Sequence, residues 1–315
     1  MMRLLKAGLA IIAVALSPLA SSIAYAETFY VAGHEGVPLA VTVEGPEDGP
    51  EVLFLHGIGM GAESFSPQLR SELAGRFRMV AFDLRGHGMS GKPHQAEAYN
   101  TRDAWAADVK RVIETTGLRR PIVVAWSYGT LVAADFLLAE GPDDISGLVM
   151  ISALGGLVQQ TARETPPDPQ IMADMARYYR LRSSASLADQ DAAVRLLAPL
   201  LFERTENGPS DTWQEHARIL GLMVPPYAQA HLRQHPNDNA ELVSQLGETP
   251  LLVVHGASDF AVNPADICTL KQALPQTQVL RVDPGGHSPF AEQPSLFNTA
   301  LAAFINEYWR ASHDQ

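Results

Sequence analysis

The chain has little cysteine and an imbalance of charge. A single cysteine, Cys268, stands among 315 residues, so no internal disulfide can form and the fold must be held by its core even in an oxidising compartment. Lys and Arg number 23 against 35 Asp and Glu, a formal charge of −12. With no run of basic residues to offset it, such a surface repels a phosphate backbone, which excludes nucleic acid as a partner. A zinc site is also missing its parts: His231 and His235 are spaced like a helical metal pair, but no glutamate lies between them and no third ligand follows. The glycine-rich loop around Gly57, Gly59 and Gly61 is not followed by the lysine and serine or threonine of a phosphate-binding loop, which excludes that chemistry. There is no internal repeat and no polar low-complexity tract. With 46% hydrophobic and 18% charged residues, the chain has the composition of a folded globular protein.

Long hydrophobic runs are absent too. The apolar stretch over 9–16 is too short to span a bilayer comfortably. Preceded by Arg3 and Lys6 and followed by Ala24-Tyr25-Ala26, it reads as an export signal with cleavage before Glu27. The expectation is a periplasmic or secreted protein without a stable membrane span after processing. Losing two basic residues makes the mature chain more acidic still.

The remainder is large for one simple domain and comfortable for a core carrying an insertion. Short β-type runs over 28–34, 38–44 and 51–55, separated by turn residues, predict an antiparallel opening. The rhythm then changes to strands followed by helices. Strands are expected over 78–82, 122–125, 147–151, 251–255 and 278–282, with helices over 101–116, 128–140 and 295–310. Such alternation predicts a mostly parallel sheet covered by helices on both faces, with ligands bound beyond the carboxyl ends of the strands. The strandless stretch over 154–247 reads as a helical insertion, dividing the core into 27–153 and 248–315. Its Met172, Met175, Tyr178, Tyr179, Trp213, Met223 and Tyr227, together with Trp126, are candidates to line a substrate cavity.

Chemistry concentrates at strand ends. Ala125-Trp126-Ser127-Tyr128-Gly129 lies between a predicted strand and a predicted helix, where a tight turn strains the serine backbone and presents its Oγ at the positive end of the helix. Ala125 stands where the usual motif has its first glycine. Phe54-Leu55-His56-Gly57-Ile58-Gly59-Met60-Gly61 ends the third strand in a loop that can aim a backbone N–H at a developing oxyanion; Ile58 and Tyr128 are the candidate donors. His287, in Asp283-Pro284-Gly285-Gly286-His287-Ser288-Pro289-Phe290, follows the last strand and is the candidate base. Asp259, in Gly256-Ala257-Ser258-Asp259-Phe260, is the carboxylate to orient it, whereas Asp266 falls within the next helix and Asp283 lies close in sequence to His287. His56 and His87 are expected to hydrogen-bond loop backbones.

These segments, with Asp83-Leu84-Arg85-Gly86-His87-Gly88-Met89-Ser90 after the fourth strand, resemble the α/β-hydrolase superfamily over nearly all the mature chain. The resemblance implies an eight-stranded sheet, a cap inserted after strand six and no cofactor. The candidate residues lead to the expectation of two-stage acyl transfer on a small-molecule ester or lactone, and an inserted lid able to exclude water suggests a small or medium apolar acyl group. The serine argues against dehalogenases and epoxide hydrolases, which carry aspartate there. Cofactor-free haloperoxidases or perhydrolases and carbon–carbon bond hydrolases are the alternatives within the family; the oxyanion loop lacks the proline usual in haloperoxidases. The Trp126-Ser127-Tyr128 and Gly286–Phe290 segments also resemble N-acyl homoserine lactonases. A non-catalytic receptor for a hydrophobic ligand is the rival from another class.

Overall fold

The computed structural model describes residues 27–164, 166–203 and 211–313; the expected export signal lies outside them. One eight-stranded sheet is built from β1 Glu27–Ala32, β2 Pro38–Glu44, β3 Glu51–Leu55, β4 Arg78–Phe82, β5 Ile122–Trp126, β6 Gly147–Ile151, β7 Leu251–Gly256 and β8 Gln278–Val282. Its spatial order is β1-β2-β4-β3-β5-β6-β7-β8. The two pairs involving β2 are antiparallel and all the others parallel.

Helices α1 Ser66–Leu69, α2 Glu97–Asn100, α3 Arg102–Thr116 and α4 Gly129–Glu140 precede β6. Between β6 and β7 come α5 Pro169–Arg182, α6 Leu187–Leu201, α7 Asp211–Leu222, α8 Pro226–Leu232 and α9 Leu242–Leu246. The chain closes with α10 Pro264–Ala273, α11 Pro289–Glu292 and α12 Pro294–His313.

The strands that matter for the site are apolar throughout because both faces of the sheet are covered. Every residue of β3, β5 and β6 is buried, which removes the alternating pattern expected of a half-exposed sheet. α3 shows how a flanking helix is specified. Ala104, Trp105, Val109 and Val112 form its buried face, and Gly117 ends it in the left-handed region at φ 72°, where a Cβ would be strained. Trp105 is fully buried, a burial of about 3 kcal/mol, on the scale of the cost of truncating such a side chain.

The helices between β6 and β7 do not stand apart from the sheet. Tyr178, Ala193, Leu197 and Ala217 of α5 to α7 share one apolar cluster with Phe290 and Phe297. Ala228, Leu232, Leu242 and Leu246 of α8 and α9 join the cluster on the other face, with Trp105 and Tyr128. The excursion thus straddles the carboxyl ends of the parallel strands and roofs the place where they open. Among the described residues no helix is long and apolar enough to cross a membrane.

Candidate active site

Ser127 sits between the end of β5 and the start of α4 with φ 52°, a conformation L-residues adopt only under constraint. The constraint is visible. Its N–H donates to Ile151 O at 2.9 Å, and Thr130 N–H returns to Ser127 O at 3.0 Å. Gly129 permits the turn, since a Cβ there would lie 2.3 Å from Leu55 O. Ala125 is fully buried in β5 between Leu55 and Met150, so its methyl group is accommodated within the strand.

The loops after β7 and β8 bring two further groups to this turn. His287 Nε2 lies 3.0 Å from Ser127 Oγ, and His287 Nδ1 lies 3.0 Å from Asp259 Oδ1. Residues separated by 160 and 28 positions thus form one hydrogen-bonded chain. Asp259 Oδ1 also accepts from Ala261 N–H at 2.8 Å, and Arg163 Nη2 donates to the carbonyls of Asp259 and Val262 at 3.1 and 2.6 Å. Asp259 and His287 are both buried, so their orientation is set by packing as well as by polar contacts.

Two residues outside the triad hold the His287 loop, a role that neither shows in sequence. The Trp126 indole N–H donates to His287 O at 2.8 Å, while its ring packs edge-on against Phe290. Trp126 is 1% exposed and lines neither of the two cavities described below, so the expectation of a substrate contact is corrected: its place in β5 turns the ring beneath the catalytic loop. The Glu292 carboxylate accepts from Gly286 N–H at 2.8 Å and Glu203 N–H at 2.6 Å. Burial pushes its pKa up, and the two amide contacts oppose that shift.

The candidate oxyanion donors are Ile58 and Tyr128, which line the same cavity as Ser127. Among the described residues neither backbone N–H has an acceptor. The neighbouring amides are occupied: Gly59 N–H donates to His87 Nε2 at 3.1 Å, and Met60 N–H to Gly57 O at 3.2 Å. His87 Nδ1 donates to Arg85 O at 3.0 Å. His56 works the same way, accepting from Leu84 N–H at 2.9 Å and donating to Gly57 O at 2.8 Å. Burial lowers the pKa of His56 to about 4 and, with the neighbouring His56 adding to it, that of His87 to about 3. Both rings are therefore neutral spacers that fix the loops, as their positions near strand ends suggested. Below them Arg85 pairs with Asp108 through two 2.7 Å contacts, with both side chains buried.

A cavity of about 690 Å³ opens beside Ser127, within the range that holds a small-molecule substrate. A second, about 660 Å³, meets His287, Asp259 and Phe260. The methionines and aromatics expected to line a cavity mostly lie elsewhere. Met172 is 51% exposed on α5. Trp213 packs edge-on against Phe202, and Tyr227 packs at a tilt against His94 and donates to Lys92 O at 2.8 Å. Met223 is half-buried and, like these three, lines neither cavity. Tyr178 is buried behind the oxyanion loop, its hydroxyl 3.4 Å from where a Cβ on Gly59 would lie. Tyr179 does face the first cavity, with Arg233 4.4 Å over its ring. The physical reason is direction: helical spacing marks a buried stripe, but that stripe here packs helix on helix.

The wall of the first cavity is polar instead. Tyr128 Oη, Ser152 Oγ and His235 Nδ1 belong to residues lining it, and each is buried without a hydrogen-bond partner. Ser152 has φ 56° at the end of β6, one strand over from Ser127. Burial, and next the negative charge of Asp135, push the Tyr128 hydroxyl pKa well above its usual value. His235, considered above as half of a zinc pair, has its Nε2 committed to Asp135 Oδ2 at 2.6 Å. The described residues contain no group of His, Cys, Asp and Glu able to hold a metal ion.

A strained serine at a strand-to-helix turn, a histidine and aspartate from later strand ends, and a mostly parallel eight-stranded sheet define a hydrolase of the α/β class. The model of the alpha/beta hydrolase fold matches residues 50–294, and the chain belongs to that family. Among its relatives, the bifunctional esterase/perhydrolase of Acinetobacter calcoaceticus is 32% identical over 288 residues, covering 88% of this chain and 99% of that protein. A non-heme chloroperoxidase of Streptomyces lividans is 27% identical, covering 83% and 93%. Of solved structures, a putative aryl esterase from Burkholderia cenocepacia superposes with TM-score 0.79 at 29% identity, covering 92% of this chain and all of that one. The esterase RhEst1 from Rhodococcus follows at 0.77 and 25%, covering 89% and 99%.

Proposed function

We propose that the protein is a serine esterase that cleaves a small-molecule ester or lactone through an acyl-enzyme on Ser127. The observation that carries this reading is the unbroken chain from Ser127 Oγ through His287 to Asp259, with both links at 3.0 Å. His287 takes the proton from Ser127 Oγ as that oxygen bonds to the carbonyl carbon; Asp259 holds the imidazole and stabilises its charged form. The free N–H groups of Ile58 and Tyr128 receive the oxyanion, each donor contributing roughly 3–4 kcal/mol to the transition state. His287 then passes its proton to the leaving oxygen as the carbon–oxygen bond breaks. Water repeats the sequence and releases the acid.

This order of events assigns the cavities. The leaving oxygen must meet His287, so the alcohol part of the substrate lies towards the second cavity, which His287 lines. The acyl group stays on Ser127 and occupies the first. The esterase names of the relatives agree with this reading. Residues 1–26 support export, giving a periplasmic or secreted enzyme.

Steady-state hydrolysis of p-nitrophenyl esters beside lactones, by wild type and Ser127→Ala, tests the proposal. Wild-type turnover that vanishes in the variant, at unchanged thermal melting, is the expected result. Turnover retained by the variant removes the nucleophile.

A further inference from the structure

Hydrogen bonds to the two nitrogens of an imidazole lie in the plane of the ring, so they fix its edges, whereas its tilt is set by what packs on its face. His287 has both edge contacts, to Asp259 and to Ser127. Phe260 supplies the other kind. Its ring centroid lies 4.8 Å from that of His287, with the planes 30° from parallel, and near-parallel rings that close meet by their faces. Trp126 stands further off, at 6.2 Å and 49°, and holds the histidine through its main-chain carbonyl.

The contact is not a by-product of core packing. Among the described residues Phe260 belongs to neither apolar cluster of the core; it is half-buried at the edge of the second cavity, which His287 also lines. The main chain on both sides of it is pinned instead. Asp259 Oδ1 accepts from Ala261 N–H at 2.8 Å, and Arg163 Nη2 reaches the carbonyls of Asp259 and Val262 at 3.1 and 2.6 Å. Asn263 closes the segment by capping α10, its Oδ1 accepting from Ala265 N–H at 3.2 Å. A turn held in this way leaves the ring little choice of direction. The bridge from Arg163 that steadies the Asp259 carboxylate steadies Phe260 with it.

Resting on the esterase reading, we propose that Phe260 is a positioning residue for that reaction, acting through His287. Its ring keeps the imidazole aimed along the line from Asp259 to Ser127. Its negative face also favours the imidazolium that forms when the Ser127 proton arrives, because a cation within reach of an aromatic face is attracted to it. That cation exists only from the arrival of the proton to its departure with the leaving oxygen. The contact is therefore stronger in the transition state than in the resting enzyme, and a contact of that kind raises kcat without lowering KM.

The test separates kcat from KM for p-nitrophenyl butyrate in wild type, Phe260→Leu and Phe260→Tyr. Sulfonylation of Ser127 by methanesulfonyl fluoride is a second readout, one that involves no alcohol group. Phe260→Leu, which keeps apolar bulk without a ring, should lower kcat about tenfold and the sulfonylation rate in proportion, with KM within about twofold of wild type. Phe260→Tyr, which keeps the ring, should recover most of both losses. Phe260→Met is read in the same way should Phe260→Leu fail to fold. Wild-type kcat and sulfonylation in Phe260→Leu overturn the inference and leave the esterase reading standing. So does a raised KM at unchanged kcat, which makes Phe260 a substrate contact only, or a Phe260→Tyr enzyme as slow as Phe260→Leu. A wild type that neither hydrolyses the ester nor takes up the sulfonyl group overturns the esterase reading and this inference with it.

Discussion

The loops after β3 and β4 and the wall of the cavity beside Ser127 are both buried and rich in polar atoms, yet they settle those atoms in opposite ways. In the first, His56, His87, Asp83 and Arg85 spend their capacity on the protein. Asp83 accepts from Ala62 N–H at 2.8 Å and Met89 N–H at 2.7 Å, and each histidine bridges two backbone groups. In the second, Tyr128, Ser152 and His235 each leave an atom unspent. The paired side chains make a rigid seat, here for an oxyanion loop in which Ile58 N–H stays open beside the occupied amides of Gly59 and Met60. The unpaired atoms of the second region leave its side chains held by packing and by the Asp135 contact to His235.

The contrast is broken most severely at the residues that join the two regions. Ser127→Ala should lower kcat by about six orders of magnitude, and Asp259→Asn by about four because the imidazole is then held in the wrong tautomer. Stopped-flow and long-incubation assays of ester hydrolysis on the folded variants check both. An Asp259→Asn enzyme with unchanged kcat would transfer the orienting role to another carboxylate.

The paired region predicts acid sensitivity. His56 and His87 titrate at about 4 and about 3 when folded but near 6.5 in the unfolded chain. Below pH 6.5 the unfolded state therefore binds protons that the native state refuses, and stability falls with falling pH until the folded pKa values are passed. The full shifts correspond to roughly 3–5 kcal/mol for each ring, so urea unfolding at pH 4.5 should show a loss of several kcal/mol relative to pH 7. Stability unchanged over that interval would contradict neutral, buried rings.

Much of the molecule was legible in the sequence, for reasons that differ by element. β3, β5, β6 and β7 are short apolar runs bounded by glycine, proline or polar turns, and buried parallel strands leave that mark. Ser127 and His287 could be located because a strained turn and a strand-end loop restrict which residues flank them. The substrate residues could not. Met172, Trp213, Met223 and Tyr227 have the side chains of a cavity lining, but α5 to α8 pack against one another and the sheet, which decides their direction. Asp135 and His235 meet across 100 positions, and no local pattern announces that contact. Glu292 and Trp126 likewise act on the His287 loop through tertiary contacts alone.

Trp126 sharpens the comparison at a smaller scale. Trp126→Phe keeps most of the packing against Phe290 but leaves His287 O without its indole donor, so kcat should fall about tenfold with a stability loss of about 1 kcal/mol. Full activity in that variant would show that Glu292 suffices to hold the loop. The smallest effect is expected on stability at the cavity wall. Because Tyr128 Oη has no partner to lose, Tyr128→Phe should melt at the same temperature as wild type or slightly above it, whereas a marked drop would reveal a contact made by that hydroxyl.

The central claim is that Ser127 is an activated nucleophile, and covalent trapping tests it most directly. Treated with a fluorophosphonate and mapped by peptide mass spectrometry, the folded protein should carry one adduct, on Ser127, and the reaction should be lost in His287→Ala. A folded protein that stays unlabelled, or an adduct on another serine, would contradict the account.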